Sequence, residues 1–175
     1  RLGGFARNLK FTLEGNYPPK LIRYLIERIT HHPNITVYLK TRLVSHDGPM
    51  GAFNGTIQNE NGAKSVPYGA VIVATGGRPY EPKEYLYGKN KQVLTQVEFA
   101  KRLFEDSSWA SRLNRVVMIQ CVGSREPDFP FCSRVCCAAA VKNSIQLKEI
   151  NPDAKIIILY RDVRTFGFKE LYYLR

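Results

Sequence analysis

Cys121, Cys132, Cys136 and Cys137 are the only thiols in a chain of 175 residues, and they fall within 17 positions. Their spacing is C-x10-C-x3-C-C. Thiolates are nucleophiles, disulfide partners and soft metal ligands, so this block is where the chain could do chemistry. Disulfides account for it poorly: a bond between neighbours Cys136 and Cys137 is strained, and no secretory signal points to an oxidising compartment. Structural zinc sites favour C-x2–4-C pairs, and only Cys132 and Cys136 come near that spacing. Inert thiols would be unusually concentrated. A 4Fe–4S cluster asks for four thiolates converging on one cube. On the residues alone the cluster, zinc and free-thiol readings stay open, the cluster first.

The elements that must position these thiols show in the hydrophobic pattern. "NRVVMIQC" and "AKIIILYRDV" are short apolar runs of the buried-strand type, and "SRVCCAAAVKNSIQLKEI" between them is helical. Ser133 is the expected N-cap and Asn151-Pro152 the stop. Residues 115–163 therefore predict a parallel βαβ unit. In such a unit Cys121 ends the strand, Cys132 precedes the helix, and Cys136 and Cys137 lie in its first turns. Strand ends and the following helix starts meet at one sheet edge. A thiolate-ligated cluster is anionic, which suits a helix N-terminus, and Arg125 and Arg134 flank the site.

Upstream, Pro18 and Pro19 open a helical stretch with an apolar stripe of Leu21, Ile22, Leu25, Ile26 and Ile29. "NITVYLKTRLVSH" alternates Ile35, Val37 and Leu39 like a strand. Asn54-Gly55 and Asn61-Gly62 signal tight turns. Residues 35–75 thus predict a β-meander ending in "GAVIVATGG", a run of the buried parallel-strand type. Thr95 and Glu98 have capping-box spacing for a helix reaching about Asp106. The tail "RTFGFKELYYLR" begins a further element.

The composition, 44% hydrophobic and 11% aromatic, is that of a globular chain. No apolar run approaches the roughly 20 residues that a membrane span needs. The opening "RLGGFARNLK" reads as the interior of a folded unit, so the chain is expected to be a piece of a longer protein. Its net charge of +11 is dispersed: residues 1–70 hold 9 Lys/Arg against 4 Asp/Glu, 71–114 hold 7 against 5, and 115–175 hold 10 against 6. Nucleic-acid sites concentrate such charge on one face, so the expectation is a positive surface for acidic protein partners and no nucleic-acid binding.

"QCVGSR…FCSRVCCAAAVKN" followed by "ILYRDVRTFGF" closely resembles the A subunit of heterodisulfide reductase. "GGFARNLKFTLEG", "VIVATGGRPYEPKEYLYG" and "VLTQVEFAKRL" resemble other stretches of it, in order. The loop "REPDFPF" is shorter by two than is usual there, where the spacing is more often C-x12-C-x3-C-C. The resemblance implies an α/β fold: a partial FAD-binding, thioredoxin-reductase-like lobe with the meander over 1–114, lacking its first βαβ unit, and a Rossmann-like βαβ lobe with parallel strands over 115–175. It implies a 4Fe–4S cluster on Cys121, Cys132, Cys136 and Cys137, prone to loss in air. It assigns flavin contacts to Gly3, Gly4, Val44, Ala74, Thr75 and Gly76, and tuning of flavin N5 to Lys142. No G-x-G-x-x-G occurs in the chain, and Gln120-Cys121-Val122-Gly123-Ser124 stands where a nicotinamide-binding loop would.

The activity implied is that of an anaerobic, cytoplasmic electron-transfer flavoprotein subunit, an oxidoreductase relaying electrons between FAD and the cluster, with flavin-based electron bifurcation in the best-known members. Implied partners are the B and C subunits, a hydrogenase or dehydrogenase donor subunit, and a second copy of the chain. The chain alone is expected to bind FAD weakly or not at all and to be inactive. The alternatives are a non-catalytic zinc-stabilised interaction domain and an NAD(P)H-dependent FAD disulfide reductase; the latter needs a C-x-x-C pair and a glycine loop.

Overall fold

The computed structural model describes residues 1–165; the tail beyond, Phe166 to Arg175, lies outside the described residues. The chain divides into two compact units, one of residues 1–5 and 21–77, the other of residues 6–20 and the described residues from 78 onward. The fold is α/β as expected, with a meander and a parallel βαβ unit.

Helix α1 (Pro18–Thr30) starts at the proline pair, and its apolar stripe buries no residue. In the first unit β1 (Arg42–Asp47), β2 (Phe53–Asn59) and β3 (Gly62–Tyr68) form an antiparallel sheet in chain order. The meander therefore exists but begins later than its pattern suggested: residues 35–39 form no strand, and pairing starts with Arg42 opposite Gln58. Asn61-Gly62 does mark a turn, because Asn59 pairs with Gly62 across a two-residue loop. Asn54-Gly55 does not. Both residues sit inside β2, and a Cβ on Gly55 would lie 2.8 Å from Leu43 Cδ1 and 2.9 Å from Tyr68 Cε1. That glycine serves a close side-chain approach instead of a turn.

"GAVIVATGG" is a second correction. Residues 70–77 form no strand, and Ile72 and Val73 are 89% and 80% exposed. A parallel strand buried on both faces needs a neighbour to pair with and cover above and below. No described strand pairs with this run. The first unit accordingly contains no buried apolar side chain among its described residues.

The second unit has the core. Helices α2 (Gln96–Glu105) and α3 (Ser107–Ala110) precede β4 (Arg115–Ile119), then α4 (Cys136–Ile150) and β5 (Lys155–Leu159). Strands β4 and β5 are parallel and in register from Arg115↔Lys155 to Ile119↔Leu159, the βαβ unit that the two apolar runs require. Phe99, Leu103, Ala110, Met118, Ala140, Leu147 and Ala154 are the buried cluster joining α2, α3 and α4 to this sheet. Residues of 78–114 thus share a core with α4 within the second unit.

Two local devices hold these helices. The capping box of α2 is complete: Glu98 N–H donates to Thr95 Oγ1 at 3.3 Å, and Thr95 N–H donates to Glu98 Oε2 at 2.7 Å. Thr95→Ala is expected to lower unfolding free energy by about 1 kcal/mol in denaturant melts, and an unchanged midpoint would refute that role. Asn151 closes α4, its N–H donating to Leu147 O at 2.7 Å and its Nδ2 to Ser111 O at 3.0 Å.

Candidate metal centre

Strand β4 reaches the thiol block with one further ladder bond, Gln120 N–H donating to Leu159 O at 2.9 Å. The chain then turns sharply. Cys121, Arg125 and Arg134 adopt φ of +63°, +60° and +62°. Non-glycine residues in the left-handed region cost about 1 kcal/mol or more each and persist where surrounding structure holds them, characteristically at functional sites. Gly123 has φ +67°, and a Cβ there would lie 2.3 Å from the Tyr80 ring. Tyr80 therefore fills the side of the loop that a phosphate would need for close approach.

The tip of the loop is a small hairpin in which Glu126 and Phe129 exchange backbone hydrogen bonds of 3.2 and 3.0 Å. Below it Arg125 N–H donates to Phe131 O at 3.3 Å. Cys132 follows, its Sγ accepting from Arg134 N–H at 3.3 Å. The expected cap at Ser133 is not used, because left-handed Arg134 breaks the helical path. Helix α4 starts at Cys136 with Val135 as N-cap and no side chain accepting from its first turn. Cys136 and Cys137 are its first two residues, beside N–H groups that no side chain caps. Gln120 Nε2 donates to Cys136 O at 3.0 Å, tying the strand end to the helix start.

Cys121 and Cys137 are 7% and 6% exposed, Cys132 and Cys136 half-buried, and all four are free thiols. Burial pushes the Cys137 thiol above its ordinary range, with Cys136 and Cys121 adding to the rise and a hydrogen bond from the Arg164 backbone opposing it. Cys137 thus lies within electrostatic reach of two other thiols of the block. Among the described residues no three His, Cys, Asp or Glu side chains close to within ligating distance of one ion. The donor set nonetheless fits a thiolate-ligated cluster in its chemistry: only sulfur donors, two of them opening a helix whose first turn no side chain caps.

The raised Cys137 pKa has a signed consequence. Ionising this thiol costs more in the fold than in the unfolded chain. The contribution of this thiol to the stability of the metal-free protein is therefore constant below the ordinary thiol range and falls as pH rises through it. Alkylation at mildly alkaline pH is expected to modify Cys132 well before Cys137, read by peptide mass spectrometry; equal rates would remove the burial argument.

Of the other expected site residues, Gly3, Gly4, Val44, Ala74, Thr75 and Gly76 belong to the first unit and Lys142 to the second. Gly3 and Gly4 have φ of +87° and +43°, and Gly76 has +70°, conformations that suit turns against which a flat group could lie. Val44, Ala74, Thr75 and Gly76 are exposed. Lys142 lies on α4 with Nζ 4.4 Å from the centre of the Phe11 ring and 3.5 Å from the Phe11 carbonyl oxygen. Desolvation moves its pKa below the ordinary lysine range. Gln120, Tyr80 and Asp162 are roles that the sequence did not reveal, although Gln120 and Asp162 stand within the most distinctive motifs.

No family model matches the chain. Curated relatives do. It is 36% identical over 123 residues, 61% of its length, to the A subunit of the H(2):CoB-CoM heterodisulfide,ferredoxin reductase of Methanothermobacter thermautotrophicus. It is 38% identical, over 60% of its length, to an A subunit of the ferredoxin:CoB-CoM heterodisulfide reductase of Methanosarcina acetivorans. It is 34% identical, over 59% of its length, to the first of two iron-sulfur A subunits of the CoB–CoM heterodisulfide reductase of Methanopyrus kandleri. The chain spans 19%, 18% and 18% of those proteins, respectively.

Proposed function

The likeness to heterodisulfide reductase A subunits that the cysteine block signalled extends over about six-tenths of this chain, and from it we propose that the chain is the cluster-bearing part of an electron-transfer oxidoreductase subunit of that type. The observation that carries the reading is the thiol block at the carboxyl edge of β4, joined to an uncapped helix start, where a nicotinamide enzyme would place open glycines. Cys121, Cys132, Cys136 and Cys137 would hold a 4Fe–4S cluster, which supplies one-electron transfer when bound.

The chain's own residues do the rest. The first-turn N–H groups of α4, with Arg125 and Arg134, offset the negative charge of four thiolates. Burial of Cys121 and Cys137 keeps water from one side of the site. The Gln120 side chain holds Cys121 and Cys136 on one rigid frame of strand and helix. Tyr80 over Gly123 supports a non-nicotinamide loop.

FAD belongs to this proposal at the level of the whole protein, as do bifurcation, a cytoplasmic setting, a second copy and the B, C and donor subunits. No helix among the described residues is long and apolar enough to cross a membrane. The test is anaerobic reconstitution with iron and sulfide. About four irons per chain, with a visible band that bleaches on reduction, would support the relay, and a colourless protein binding one zinc would end it.

A further inference from the structure

The segment leaving β5 grips the thiol loop at the carboxyl edge that the two parallel strands share. The Asp162 carboxylate accepts from Arg125 Nη1 and from Arg164 Nε. Arg161 donates to the Arg125 carbonyl oxygen and pairs with Glu126. The Asp162 carbonyl oxygen lies 4.0 Å from Cys137 Sγ. These links converge on Arg125 and Glu126, the left-handed corner and hairpin base between Cys121 and Cys132. The charges are partly exposed, so each pair alone contributes little to global stability. Their effect is local: a ten-residue loop with few buried side chains is closed at mid-length on a strand end, which limits how far Cys132 strays from Cys121, Cys136 and Cys137.

We infer that Asp162 is a positioning residue for the cluster site, clasping the loop through Arg125 so that Cys132 is held beside the other three thiols. The inference rests on the proposed function for its purpose, though not for its geometry. Asp162 also brings negative charge near the site, and Arg125 positive charge. Removing one or the other therefore loosens the same loop while moving the cluster's reduction potential in opposite directions. Reduction adds negative charge, so losing a carboxylate makes it easier and losing a guanidinium makes it harder.

The experiment compares wild-type whole protein with Asp162→Asn, Arg125→Gln and Glu126→Gln. In the metal-free form, iodoacetamide labelling of Cys132 is expected to rise about fivefold in each, on the scale of a small ion-pair network, with Cys137 unchanged. In the reconstituted form, the midpoint read by an EPR-monitored titration is expected to rise in Asp162→Asn and fall in Arg125→Gln. Unchanged Cys132 labelling in Asp162→Asn and Glu126→Gln overturns the clasp. So does labelling that rises equally at Cys137, because that is unfolding, and so do midpoints that move the same way. If wild type takes up no iron, the cluster reading fails and labelling alone decides the clasp. If wild type loads and the variants behave like it, the clasp fails and the cluster reading stands.

Discussion

The double variant Cys136→Ser/Cys137→Ser is expected to retain less than about one iron per chain after anaerobic reconstitution, against about four in wild type. Both thiols belong to the first turn of α4, so the change empties the helix end of sulfur without touching strand, loop or the cluster around Leu147. Serine hydroxyls are poor ligands for iron–sulfur clusters at neutral pH because they hold their protons, whereas thiols lose theirs to the metal. Two remaining thiolates cannot complete a four-iron cube. Iron assay, loss of the bleachable visible band and loss of the reduced EPR signal should agree. Undiminished iron in the double variant would show that the metal binds elsewhere. Undiminished zinc would do the same for a zinc site.

Leu147→Ala should have the largest effect on stability. Leu147 is fully buried on α4 among Phe99, Leu103, Ala110, Met118, Ala140 and Ala154. Truncation removes apolar burial and leaves a cavity walled by two helices and a sheet, at a cost of about 2–5 kcal/mol. That is a large share of the roughly 5–15 kcal/mol holding a typical domain together. Denaturant melts read by near-ultraviolet dichroism of Trp109, which packs against this cluster, should register the loss directly. Because Cys137 rides on the same helix, its alkylation should accelerate in parallel. A loss below about 1 kcal/mol would mean that this cluster is not the core on which the thiol site is mounted.

The βαβ unit was legible because its signals are local and agree with one another. Four-residue apolar runs give β4 and β5, Asn151 closes α4, and Thr95 with Glu98 opens α2. What misled was local chemistry that long-range contacts override. Asn54-Gly55 reads as a turn until Leu43 and Tyr68 are seen to need the space above that glycine. Ser133 reads as a cap until Arg134 turns left-handed. The run at 70–74 reads as a buried strand, yet its residues have no described partner to bury against. Within the site, the thiols and their place at strand end and helix start could be read from spacing. The Arg125–Asp162 pair could not, since its members stand 37 residues apart and nothing in a linear charge pattern selects them.

The bare run from Val71 to Val73 also governs how this chain behaves as a solute. From Tyr68 to Gly77 there is neither a charged residue nor a proline to oppose pairing between molecules. What keeps molecules apart is the dispersed net charge of +11. That repulsion reaches about 30 Å in dilute buffer and about 8 Å at physiological ionic strength. Colloidal behaviour therefore follows salt: the isolated chain stays dispersed in dilute buffer, and added electrolyte lets the bare apolar runs meet.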